Sequence, residues 1–257
     1  MSDTDDDAPL HMVQMCVDGK QLTEVGKMLG LPLRNTDNNY LAHCLLGKLF
    51  GDAAPKPYWL EDDPRREEKR EMRLLGYCEK GADELESLAR MYAEPSLHDG
   101  FDFDELVSKP MPATFREGID LGFELRACPV IRKGSAGPKW EEGQEVDAFL
   151  SRVWEVDDES VNIEREEVYR DWFERQLDLR GGADPDTDTI GLKRFSIERM
   201  TRRKHGGDRK PTTIKRPDIT LTGELEVTDT EAFVELVESG IGRHKSFGFG
   251  MLKVKPA

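Results

Sequence analysis

The 257-residue sequence lacks most of the signatures that identify a protein at sight. Its four cysteines, Cys16, Cys44, Cys78 and Cys128, are widely scattered with no CxxC pair. They read as reduced, mostly buried thiols of a cytosolic protein, and exclude a disulfide framework or a cysteine-based zinc site. The five histidines form no ligand-spaced cluster, so neither a metal nor another cofactor is expected. Asp184-Pro185-Asp186-Thr187-Asp188 starts like a calcium loop, yet Thr189 stands where the glycine belongs and Phe195 where the closing glutamate belongs. No apolar run is long enough to span a bilayer, and the start, Met1 to Asp7, is acidic without the cationic and apolar regions of a signal peptide. A soluble, cytoplasmic protein with no membrane partner is expected, with residues 1–8 disordered. The formal net charge of −15 also removes the overall basic footprint common in nucleic-acid binders.

What is present is concentrated near the C-terminus. Gly240-Ile241-Gly242-Arg243-His244-Lys245-Ser246-Phe247-Gly248-Phe249-Gly250 packs four glycines among three cationic or titratable side chains. Glycines admit positive φ and close approach of backbone to a ligand. With Arg243 and Lys245 among them, the exposed N–H groups suit a phosphate chain. A P-loop is excluded because His244, not glycine, precedes Lys245-Ser246, and a dinucleotide fingerprint would need a glycine at Lys245. A helix precedes this loop and a strand follows, the reverse of a mononucleotide loop. The plain alternative, a helix C-cap at Gly240 and an ordinary turn, leaves the other three glycines unexplained.

Charge is also uneven. Ile190 to Arg216 carries a net +8, so the remainder carries −23. Within it, Arg199, Arg202, Arg203, Lys204, Arg209 and Lys210 flank Gly206-Gly207, the pattern of a basic β-hairpin arm. A solvated hairpin is the ordinary reading of such a run, but so much local self-repulsion favours an anionic partner.

Hydrophobic periodicity predicts strands over Leu10–Val17, Lys56–Leu60, Arg70–Cys78 and Phe101–Val107. Helices are predicted over Leu22–Leu29, Tyr40–Phe50 (capped by Asn38 or Asn39) and Ala82–Tyr92. Lys109-Pro110-Met111-Pro112 reads as a linker. Beyond it, Phe123–Ile131, Ile190–Arg203, Ile219–Val227 and Met251–Val254 read as strands. Val146–Trp154, Glu164–Leu179 and a helix through Phe233 and Val237, with a Thr228/Glu231 capping box, complete the second half. Each half is β-α-β-β-α-β, so the fold class is α+β with two tandem ferredoxin-like domains. Their expected bounds are 9–112 and 113–257.

Tyr40 and His43 stand at i and i+3 on the second helix, off the apolar arc of Leu41, Ala42, Leu45, Leu46 and Leu49. A histidine there suits proton transfer near neutral pH; a surface histidine beside a surface tyrosine is nearly as good a reading. One histidine and one tyrosine suffice for RNA transesterification, where the nucleophile is the substrate's own 2′-hydroxyl.

These residues resemble a known family. The terminal GIGRHKSFGFGML (240–252), preceded by GELEVTDTEAF (223–233), is similar to the CasE family of CRISPR repeat-RNA endoribonucleases, subunits of type I-E Cascade complexes. NNYLAHCLLGKLFG (38–51) looks like that family's early helix with its Tyr-x-x-His pair, and RACPVIR (126–132) is similar to its second-half strand. The resemblance runs from about residue 8 to the C-terminus. It implies a metal-free enzyme, without a cofactor, that binds the hairpin of the CRISPR repeat RNA and cuts at its 3′ base. The product keeps a 2′,3′-cyclic or 3′-phosphate, and the enzyme stays bound to the crRNA beside the backbone and large Cascade subunits. By the same resemblance His43 is the acid/base group and Tyr40 orients the scissile phosphate. Gly240, Gly242, Arg243, Lys245, Gly248 and Gly250 line the RNA-binding loop, and the arm from Arg199 to Lys210 contacts hairpin phosphates. The long acidic region from Glu141 to Leu179 departs from the family pattern and suits a surface for another subunit. A non-catalytic RNA-binding subunit of a CRISPR ribonucleoprotein is the alternative.

Overall fold

A computed structural model describes residues 10–62, 71–98, 101–156, 161–203 and 211–257. The chain forms two compact units: residues 1–113 with 199–215 and 245–251, and residues 114–198 with 216–244 and 252–257.

The first unit contains β1 (His11–Asp18), α1 (Gly19–Met28), α2 (Asn38–Phe50), β2 (Tyr58–Asp62), β3 (Glu71–Cys78), α3 (Ala82–Tyr92), α4 (Pro95–His98) and β4 (Val107–Pro110). The strands form one sheet in the order β2-β3-β1-β4, antiparallel throughout. This is the ferredoxin-like order, with α1 and α2 both inserted between the first two strands. Val13, Met15 and Val17 alternate along β1 toward a core shared with Leu22 and Val25 of α1, Leu45 and Leu49 of α2, and Leu85 and Ala89 of α3. Alternation on the strands and i, i+3, i+4 spacing on the helices aim both sets at one layer boundary.

Two expected elements move. The strand expected over Phe101–Val107 is a short 3-10 turn at Phe103–Glu105 followed by β4. The expected linker residues Lys109 and Pro110 are therefore strand, pairing with Met12 and His11. β4 is an edge strand, the one place in a sheet where proline's missing N–H costs little. The helix cap also moves, because Asp37 rather than Asn38 or Asn39 accepts the Tyr40 N–H at 2.9 Å. The charged turn around Pro64 lies outside the described residues.

The second unit begins with β5 (Asp120–Ala127), β6 (Val130–Arg132), β7 (Glu145–Asp147), α5 (Ala148–Glu155), α6 (Arg165–Asp178) and β8 (Ala183–Pro185). It continues through β9 (Gly191–Arg203), β10 (Pro211–Val227), α7 (Thr230–Ser239) and β11 (Leu252–Pro256), the tips of β9 and β10 grouping with the first unit. The main sheet runs β11-β5-β10-β8, with β9 also paired to β10, again the ferredoxin-like order. Ile219, Leu221, Leu225 and Val227 are buried, as their alternation predicts. Arg126, which alternation assigns to solvent, is 6% exposed because Asp218 on the neighbouring strand receives its guanidinium at 2.6 Å. β7, paired with β6, takes the first two residues of the helix expected over Val146–Trp154, which begins as α5 at Ala148. Asp229, not Thr228, caps α7 by accepting the Ala232 N–H at 2.8 Å.

Candidate active site and nucleic-acid interface

In the first unit, α2 carries Tyr40 and His43, and the end of the glycine-rich segment covers them. Asp37 fixes the start of α2 with one carboxylate oxygen and accepts the Thr201 N–H of β9 with the other, at 2.6 Å. Thr201 and Thr213 each donate a hydroxyl hydrogen bond to Asn35 O, so both strands of the basic hairpin are tied to the turn preceding α2. The five residues of the predicted apolar arc are buried.

Tyr40 is buried too, at 6% exposure, although the helical wheel places it off that arc. Its ring stacks on Phe247 with centroids 6.0 Å apart and planes 15° apart. The half-buried His43 meets the same Phe247 ring edge-on at 5.1 Å and lies 6.2 Å from Tyr40. A single phenylalanine, a sequence-distant neighbour, thus packs against both. Phe247 follows Lys245 in a 3-10 turn that the Tyr58 hydroxyl steadies, donating to Asn39 O at 2.7 Å and to Ser246 O at 3.3 Å. Gly248 has φ 80°, and a Cβ there would fall on the Asn39 amide oxygen. Glycine is therefore required twice over, for the left-handed backbone and for room against α2.

Burial, and then the charge of Lys56, hold the His43 imidazole below its ordinary pKa of 6.5. Both causes disfavour the imidazolium. At neutral pH His43 is a neutral base with a partly open face.

The second unit holds the first half of the loop. Gly240 ends α7 with φ 70° and Gly242 has φ 79°, where a Cβ would stand 2.9 Å from the Trp172 ring. His244 also has positive φ, 63°. Glu145 of β7 gathers three side chains: Arg216 Nη2 at 3.0 Å, Arg243 Nε at 2.7 Å and His244 Nε2 at 3.1 Å. These neighbours, His244 foremost, hold its carboxyl well below the usual range against the opposing effect of burial.

Of the expected RNA-contacting residues, Arg199 and Arg243 are exposed, Lys245 is half-buried, and Gly240, Gly248 and Gly250 are buried. Gly250 also has positive φ. Arg202 and Arg203 lie on β9, with side chains outside the described residues, as are Lys204, Arg209 and Lys210 altogether. The sequence reading missed Asp37, Tyr58, Lys56 and Glu145, and assigned Phe247 no role. Only an aspartate before a helical pattern signalled any of them.

Among the described residues no His, Cys, Asp and Glu group could hold a metal ion, and no helix is long and apolar enough to cross a membrane.

The fold is similar to that of a CRISPR endoribonuclease Cse3 bound to a 19-nucleotide RNA, at 18% identity and TM-score 0.59, covering 96% of this chain and 100% of that one. Thermus thermophilus Cse3 bound to an RNA representing a pre-cleavage complex gives the same identity, coverage and TM-score. A chain of a CRISPR RNA-guided surveillance complex, pre-nicking, follows at 14% identity and TM-score 0.56, with 96% and 100% covered. At such identities the likeness is one of fold. No curated protein matches the sequence. The family profile described as CRISPR associated protein, however, matches residues 10–256, nearly the whole chain. In agreement with the CasE resemblance of its motifs, the chain belongs to the CRISPR associated protein family.

Proposed function

We propose that the protein is an endoribonuclease that binds the hairpin of CRISPR repeat RNA, cuts at its 3′ base without a metal ion, and remains on the product as a Cascade-type subunit. The observation that carries this reading is His43, a histidine made more acidic than usual and held edge-on against Phe247 of the glycine-rich segment. In the proposed reaction neutral His43 takes the proton of the substrate 2′-hydroxyl. The 2′-oxygen forms a bond to phosphorus, the P–O5′ bond breaks, and the leaving 5′-oxygen gains a proton. The products are a 2′,3′-cyclic phosphate, which water can open to a 3′-phosphate, and a 5′-hydroxyl.

Tyr40 serves this step through His43 and Phe247, its ring being buried between helix and loop. Residues 9–112 supply the proton-transfer group and residues 113–257 the phosphate-holding arm and loop, of which 199–215 and 245–251 group with the first unit. Cse3 is a CRISPR endoribonuclease bound to RNA, and the surveillance complex is RNA-guided, which supports assigning the same substrate and assembly to this chain.

The test is cleavage of the host repeat RNA by purified protein in EDTA, read at nucleotide resolution. One cut at the hairpin base is expected. In His43→Ala the rate should fall by roughly 10²–10⁴ while hairpin affinity is retained. Tight binding without a cut by the wild type would sink the enzymatic reading and favour a binding subunit.

A further inference from the structure

In the second unit a cleft of about 460 Å³ opens between β6, α5 and α6 and reaches the glycine-rich loop at Arg243. Its rim carries Arg132, Arg152 and Arg175 as well, all exposed. Among the described residues Arg132 and Arg175 form no salt bridge, and Arg152 feels the charge of Glu155 from the same helix. Arg243 shares Glu145 with Arg216 and His244, and the lining carboxylate Glu155 is already bridged by Lys133 at 2.7 Å. Asp171 is the one other carboxylate lining the cleft. The apolar side chains of the lining include Ile131, Val168 and Trp172, with Leu179 left 75% exposed.

Exposed guanidiniums beside apolar side chains are complementary to a nucleotide, whose base needs an apolar surface and whose flanking phosphates accept the guanidinium fork in bidentate fashion. The volume falls within the roughly 300–1,000 Å³ of small-ligand sites, enough for one nucleotide and too small for a duplex. α6 sharpens the contrast. It is an acidic helix that nevertheless turns Arg175 into the cleft, leaving the cations as an isolated island on a chain of net charge −15.

We propose that this cleft binds single-stranded RNA, one nucleotide seated on its floor and the adjoining phosphates on its arginines, as a site separate from the hairpin-binding arm. The inference deepens the proposed function by extending the bound RNA beyond the hairpin.

Fluorescence anisotropy across a salt series tests it. The probes are the repeat hairpin alone, the hairpin with a single-stranded extension of roughly 8 nucleotides at either end, and an oligouridine of that length. Wild type should bind one of the extended RNAs about tenfold tighter than the bare hairpin, and should bind oligouridine weakly. Arg152→Glu/Arg175→Glu should lose that gain and the oligouridine binding, keep its affinity for the bare hairpin, and flatten the log Kd against log salt slope by about 1.4. Full gain retained in the variant overturns the proposal. So does a variant that keeps the gain yet fails to assemble with the other complex subunits, which would make the cleft a protein-docking surface. Failure of wild type to bind the bare hairpin would instead strike the proposed function, while oligouridine still reports on the cleft. Arg152→Gln/Arg175→Gln and a 4-thiouridine crosslink to α6 of wild type guard against misfolding of the charge-reversed variant. Crosslinks confined to other elements would overturn the proposal as well.

Discussion

His43, Phe247 and Gly248 show how little space separates a packing residue from the one proposed to react. Phe247 touches both ring systems of α2, so its shape fixes the imidazole's attitude without supplying chemistry. Phe247→Leu should keep the fold and hairpin affinity but slow cleavage severalfold, an effect visible in single-turnover rates with saturating enzyme. Gly248→Ala faces both a positive φ and the Asn39 side chain, and the backbone strain alone should cost about 1–2 kcal/mol, measurable as a lower denaturation midpoint. The acidity of His43 predicts a pH profile. Because burial and Lys56 lower its pKa, the neutral base is already dominant below pH 6.5, so the rising acid limb should lie at lower pH than for an ordinary histidine. Lys56→Ala removes the second cause and should move that limb toward higher pH. A limb that stays fixed would dissociate Lys56 from the site. In sequence, Tyr40 and His43 were visible as a pair, but Tyr40's burial was not. A helical wheel registers only the helix's own faces, and Phe247 arrives from more than two hundred residues away.

At the level of elements, caps and strands explain most of what was legible. Periodicity in α2 and α3 predicted those helices within two residues, and alternation predicted the end of β10 but not its start, eight residues earlier at Pro211, since burying one face dictates the pattern. Boundaries shifted where three capping residues stand in a row, as at Asp37, Asn38 and Asn39. The winner does two jobs, accepting from Tyr40 in the helix and from Thr201 in the arm. Asp37→Ala should therefore destabilise by about 0.5–2 kcal/mol as a lost cap, and should also raise amide exchange at Thr201. Asp37→Asn, which retains an acceptor for the helix, should recover most of the stability in thermal melts. Arg126 had the pattern of an exposed strand residue and is buried only because Asp218 lies across the ladder, a pairing set by register between residues 92 apart.

For the whole molecule, electrostatics separates overall charge from local charge. A chain at −15 can hold a polyanion because its cations are gathered into the stretch from Ile190 to Arg216 and into the arginine-lined cleft, while distant acids are screened beyond about 8–10 Å at physiological salt. If the arm grips the hairpin, Lys204→Ala or Arg209→Ala should each reduce the salt slope of hairpin binding by about 0.9, with little change in cleavage once RNA is bound. An unchanged slope would remove the arm from the interface. The sequence by itself determined the α+β class, the doubled β-α-β-β-α-β order, the glycine-rich loop and the uneven charge, because period, turn chemistry and composition are local properties carried by neighbouring residues. Only the tertiary structure decided that Phe247 closes over Tyr40 and His43, that Glu145 gathers Arg216, Arg243 and His244, and that four arginines from separate elements line one cleft. Those are contacts between residues far apart in the chain, and burial, exclusion of water and the resulting pKa shifts exist only once folding has brought them together.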